Sequence, residues 1–285
     1  MIKTTLILAL VGTLALVAGP GTDNEVVLTA ADVTAAYDIE NALQLATDYG
    51  ARPGIVTLDA SGGPFTYYEE DRSINIFYPN VTLRSLNGAV LANCADGVFF
   101  DNFPLDDVTI QGITFDCSGG GVAISPSDFP HSGLVIQDNV MDVYDYGITI
   151  TGWHDVTIRA NQVTVREGLD REAIYLTETS DALVLDNELS GYRGLALEGS
   201  DANQVVNNDI AASWQGVLLK SGSDGNKIIA NRIRGPQAAG IALEAGTTNN
   251  KVHGNRVTCA AGYQCLTVDA SPDVWRANKI TGNRP

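Results

Sequence analysis

Positive charge is scarce in this sequence. Lys and Arg total 17 against 34 Asp and Glu, a formal charge of -17. That balance repels nucleic acid and anionic membranes, so no nucleic-acid partner is expected. Histidine and methionine are scarcer, with three and two residues. His131, His154 and His253 occupy different places in the repeat described below, so no metal site and no cofactor are expected. HExxH, GxSxG, a phosphate-binding glycine loop and an EF-hand loop are all missing. Long apolar runs are missing too, apart from Leu6 to Ala18. That run follows Lys3 and ends at Gly-Pro-Gly. It reads as a signal peptide over residues 1–18, with a linker over 19–33 and no membrane span after cleavage. An uncleaved anchor is the alternative. Only four cysteines are present. Cys259 and Cys265 are close enough to staple one loop, and Cys94 and Cys117 lie 23 residues apart. Disulfides fit a secreted, periplasmic or cell-surface chain; free buried thiols are the other reading.

What is abundant is repetition. VIQDNVM, TIRANQV, LVLDNEL, QVVNNDI, IIANRIR, KVHGNRV and VWRANKI align on Asn139, Asn161, Asn187, Asn208, Asn231, Asn255 and Asn278. The spacings are 22, 26, 21, 23, 24 and 23 residues. Between them recurs Gly-aliphatic-x-aliphatic, as GITI, GLAL, GVLL and GIAL, with AIYL and CLTV as weaker copies. Three short strands in about 23 residues is the arithmetic of a parallel β-helix. Its glycine strands are expected to point Leu195 and Leu197, Val217 and Leu219, Ile241 and Leu243, and Leu266 and Val268 inward. The second strands contribute a column ending in Val252 and Trp275, and the third a column ending in Val257 and Ile280. The asparagines fall at the bend between second and third strands. There they tolerate left-handed backbone and stack into a side-chain ladder.

These asparagine turns and the recurring Gly-Ile-x-Leu resemble the pectate-lyase-like right-handed parallel β-helix superfamily, in particular its generic carbohydrate-binding and sugar-hydrolase repeat proteins and their periplasmic relatives. The resemblance spans roughly residues 30 to 283. It implies an all-β solenoid of about nine or ten turns over residues 34–285, with DIENALQLATDYG as an N-terminal capping helix. Cys94 and Cys117 are then placed to cross-link adjacent turns. The last turn is expected to carry a crude polar cap of Asn283, Arg284 and Pro285, or to meet another chain end to end. The copper role suggested for some periplasmic relatives finds no ligands in this sequence.

The resemblance also implies substrates along the outer face of the glycine strands. One outward column there is Thr149, Tyr175, Ala196, Leu218, Ala242 and Thr267. The next is Thr151, Thr177, Glu198, Lys220, Glu244 and Asp269. Preceding loops supply Asp145, Tyr146, Arg171, Glu172, Tyr192, Arg193, Trp214 and Tyr263. Rings beside charges suit sugar binding. A catalytic reading falls on Glu198, Lys220 and Glu244, with a polysaccharide lyase or glycoside hydrolase as the implied activity. The catalytic sequences of those enzymes are absent, and flanking carboxylates raise a lysine rather than making it a base. An alternating-charge stripe on a solvated sheet explains the same residues. Two functions follow: a polysaccharide-binding or polysaccharide-processing protein, or a structural surface protein with no carbohydrate activity.

Overall fold

In the computed structural model, residues 24–66, 73–100, 105–124, 131–166 and 171–285 are described, along with the backbone of 7–9 and 13–17. Most of the expected signal peptide lies outside this set. Three parallel strips of strands wind into a right-handed β-helix of about nine coils. Asn24–Thr29, expected within the linker, already forms a strand in register with Gly54–Asp59. The glycine strip runs from Ile74–Ile76 to Leu266–Ala270, and the second from Asn24–Thr29 to Lys279–Thr281. The third runs from Phe65–Thr66 to Arg256–Thr258. Glu188–Glu198 and Asp209–Lys220 continue from the third strip round the corner into the glycine strip.

The alternation read from sequence places the core. Ile148, Ile174, Leu195, Val217 and Ile241 stack on the glycine strip. Met141, Val163, Leu189, Ile210, Ile233 and Val257 stack on the third, and all of these residues are buried. The recurring glycine is dictated by that third column. A Cβ on Gly194 would lie 2.1 Å from Ile210 Cγ2, and one on Gly240 2.3 Å from Val257 Cγ2. The branched side chain fills the space a methyl would need.

The asparagine ladder runs through Asn139, Asn161, Asn187, Asn208, Asn231 and Asn255. Asn231 Oδ1 accepts from the backbone N–H of Asn208 at 2.9 Å and from its amide at 3.0 Å. Asn231 Nδ2 donates to Val205 O at 2.9 Å and to Asn255 Oδ1 at 3.0 Å. Left-handed backbone falls one residue earlier than expected, at Asp138, Ala160, Asp186, Asn207, Ala230 and Gly254. The preceding residue makes the bend, which leaves the asparagine side chain free to turn inward.

The final coil departs from the expected register. Ser271 caps a short helix at Pro272–Ala277, where Ser271 Oγ accepts from Val274 N–H. Trp275 therefore sits on an exposed helix and not in the core. Ile280 pairs with Val252 on the second strip, the place expected for Trp275. Asn283 takes the ladder position, with its Oδ1 2.8 Å from Asn255 Nδ2. Asn278 instead ends a second ladder, Asn203, Asn226, Asn250 and Asn278, at the preceding corner. On the glycine strip, Val268 pairs with Ile241 and Ala270 with Leu243, while Leu266 is exposed. Asp269 moves with them, into the column of Tyr175 and Ala242.

The capping helix, α1 (Ala36–Thr47), turns Ile39, Ala42, Leu43 and Ala46 onto the open end of the core. Asp38 accepts from the Ala35 N–H at 3.0 Å, which fixes its first turn. Glu40 accepts the Asn75 N–H at 2.9 Å, closing an edge of the first glycine-strip strand. Disulfides join Cys94 to Cys117, on paired strands, and Cys259 to Cys265 within one loop.

Candidate functional site

The outer side of the glycine strip gathers most of the residues singled out in sequence. Parallel pairing places Thr177, Glu198 and Lys220 side by side on successive coils. Lys220 Nζ lies 2.9 Å from Glu198 Oε2 and 5.3 Å from the Tyr175 ring centre. Tyr175 donates its hydroxyl to Glu198 Oε2, and Ser221 donates to Glu198 Oε1 at 3.1 Å. The Tyr175 hydroxyl, with Lys220 beside it, holds the Glu198 carboxyl below its ordinary range. Burial draws the Lys220 ammonium down, but Glu198 and Tyr175 together outweigh it and hold it above the usual lysine range. Burial, reinforced by Glu198, pushes the Tyr175 phenol up. Near neutral pH the cluster is thus carboxylate, ammonium and neutral phenol, with the polar atoms satisfied by one another.

Glu244 lies one coil further along, its N–H bonded to Leu219 O at 2.9 Å. Its side chain is exposed and forms no ion pair with Lys220. The three proposed catalytic residues are therefore a bonded pair and a separate carboxylate.

Two aromatic stacks flank the cluster. Tyr146 and Tyr175 stack at 5.8 Å and 20°. Tyr192 and Trp214 stack at 6.1 Å and 5°. Arg171 lies 5.0 Å over Tyr146 and is anchored by Asp145 at 2.5 Å. Arg193 lies 5.2 Å over Tyr192. Its guanidinium bonds Glu172 at 2.8 Å and Gln215 at 3.1 Å. Glu172 is 5% exposed, so that ion pair is a fixed anchor. Below the rings, Ala196, Leu218, Ala239 and Ala242 form a small apolar cluster outside the main core, with Tyr175 packed on it. Tyr263 is exposed in the Cys259–Cys265 loop and joins neither stack. Gln215 and Ser221 were not singled out in the sequence. Their positions beside Arg193 and after Lys220 in the repeat were the available signal.

The fold is shared with several solved structures. A tailspike protein mutant of E. coli bacteriophage HK620, in complex with pentasaccharide, aligns at a TM-score of 0.62 and 11% identity, over 88% of this chain and 53% of that one. PfbA, a surface adhesin of Streptococcus pneumoniae, aligns at 0.57 and 12% identity, over 85% and 81%. The Dettilon tailspike protein (gp208) aligns at 0.55 and 17%, over 90% and 61%. The chain thus spans about three fifths of that tailspike's length, and at these identities the likeness is one of fold. No curated protein matches the chain in sequence.

Residues 106–284 match the family described as periplasmic copper-binding protein (NosD). Copper is held by clustered imidazole, thiolate, thioether or carboxylate donors. Here all four cysteines are in disulfides. His131 bonds the Leu105 backbone, His154 bonds Ser180 and His253 bonds Thr281. Met141 is buried in the core. Among the described residues no three of His, Cys, Asp and Glu converge. The described residues therefore do not fit copper. Two disulfides place the chain outside the reducing cytoplasm. No helix among the described residues is long and apolar enough to cross a membrane. With more than half of its length matched, the chain belongs to the NosD family.

Proposed function

We propose that this protein binds an extracellular polysaccharide along the glycine strip and does not cleave it. The observation that carries the reading is the pair of aromatic stacks, Tyr146 with Tyr175 and Tyr192 with Trp214, each bordered by an arginine. Rings take the apolar faces of sugars, and Arg171, Arg193 and Lys220 offer donors to hydroxyls and carboxylates. The cluster speaks for binding over catalysis. A general acid or base works best with a pKa near the operating pH, and here Glu198 is held below the glutamate range while Lys220 and Tyr175 are held above their own. A tailspike of the same fold in complex with a pentasaccharide supports the class of ligand.

The test is a polysaccharide panel scored for binding and for new reducing or unsaturated ends. Binding to at least one member without products is expected. Tyr192→Ala with Trp214→Ala should weaken it about tenfold or more, the scale of losing buried aromatic anchors. Product formation would refute the non-catalytic part. Absence of binding to every member would favour a structural coil instead.

A further inference from the structure

The last three coils spell one phrase three times: NKIIANR from Asn226, NKVHGNR from Asn250 and NKITGNR from Asn278. The coil before them reads NQVVNND from Asn203. Register sets Lys227, Lys251 and Lys279 directly beside one another on the second strip. Arg232 and Arg256 are paired on the third strip, and Arg284 bridges to Arg256. The two columns flank one corner, and all six side chains are exposed. Arg232 reaches Asp209 at 3.5 Å. Among the described residues the other five form no ion pair.

Like charges in register on strands about 4.8 Å apart destabilise a sheet. The corner does not need them, because the asparagines hold it, and Gln204 fills the lysine position one coil earlier. The concentration is also local. Residues 226–285 carry 8 Lys and Arg against 3 Asp and Glu, a net of +5. Residues 1–225 carry 9 against 31, a net of -22.

We propose that this corner is a docking strip for a linear polyanionic polysaccharide with one acidic group per sugar, lying parallel to the coil axis. Two straight cationic columns with one charge per coil suit a polymer whose charges repeat on the same scale. The strip is convex and open, so it suits a chain's backbone and not a small enclosed ligand. The acidic remainder of the surface repels the same polymer and confines it to this corner. The strip lies on other faces than the aromatic stacks, so the proposal stands apart from the reading above.

The experiment titrates the full chain with polygalacturonate oligomers, neutral dextran, and phosphatidylglycerol vesicles. Binding to polygalacturonate is expected, weakening about tenfold or more between about 50 and 200 mM salt as counterions compete. Lys227→Gln, Lys251→Gln and Lys279→Gln together should cut the low-salt affinity about tenfold while leaving the thermal midpoint unchanged or raised. The single Lys251→Glu change should act in the same direction. In the Tyr192→Ala with Trp214→Ala background the three lysine changes should still produce the same loss. Unchanged affinity in the lysine variants, equal binding to dextran, or binding to vesicles alone would each overturn the proposal.

Discussion

Asn208 shows what a buried amide must do in this fold. It is 1% exposed, yet each of its polar atoms is partnered across neighbouring coils. Asn208→Ala should cost about 2–4 kcal/mol, because it strands the Asn187 donors and the Val184 carbonyl. Asn283→Ala, at the half-buried end of the ladder, should cost less. Urea unfolding of both variants checks the order. Gly194→Ala should cost about 1–3 kcal/mol by forcing Ile210 aside, although alanine is normally the harmless exchange. Glu198 has its own signature. Its folded carboxyl titrates below the unfolded one, so its contribution is present at neutral pH and is lost as pH falls below the ordinary glutamate range. The stability gap between the wild type and Glu198→Gln should therefore shrink between pH 7 and pH 3. Lys220 runs the opposite way. Its contribution is present below the ordinary lysine range and is lost as pH rises through its raised value.

At the scale of elements, the two disulfides differ in what they close. Cys94–Cys117 closes a 23-residue separation across paired strands, and Cys259–Cys265 closes only six. Replacing both Cys94 and Cys117 by alanine should cost about 3 kcal/mol, and replacing Cys259 and Cys265 less, as denaturant midpoints will show. Much of this architecture was legible beforehand, since a period near 23 with alternating apolar residues leaves few folds to choose among. The capping helix was legible for the same reason, through the amphipathic spacing of Ile39, Leu43 and Ala46. The final coil was not. VWRANKI looks like an asparagine turn, but Ser271 and Pro272 start a helix that consumes five extra residues, and the ladder resumes at Asn283. The repeated GNR at 254–256 and 282–284 carried the correct register. The second ladder was hidden because its asparagines precede strands and read locally as turn residues. The outer face of the glycine strip was legible as a column but not as a cluster. Periodicity brings Tyr175, Glu198 and Lys220 together, whereas loop geometry decides that Tyr192 meets Trp214 and Tyr263 meets neither.

The whole molecule behaves as a stack. Each coil bonds chiefly to its two neighbours, so stability is close to a sum of coil and interface contributions. Deleting residues 209–231 joins Asn208 to Arg232 and removes one rung from each asparagine ladder together. That variant should remain folded and unfold cooperatively, by circular dichroism and thermal melts. Deleting 209–225 breaks the register of the ladder at Asn208 and Asn231 and should not fold. The same arithmetic bears on how such a molecule changes size. Three consecutive coils spell nearly the same seven residues, so a tandem copy of one short genetic segment would bring its own corner, its own pair of cations and about 4.8 Å of reach in a single event. Length in this protein is a quantity that heredity can count.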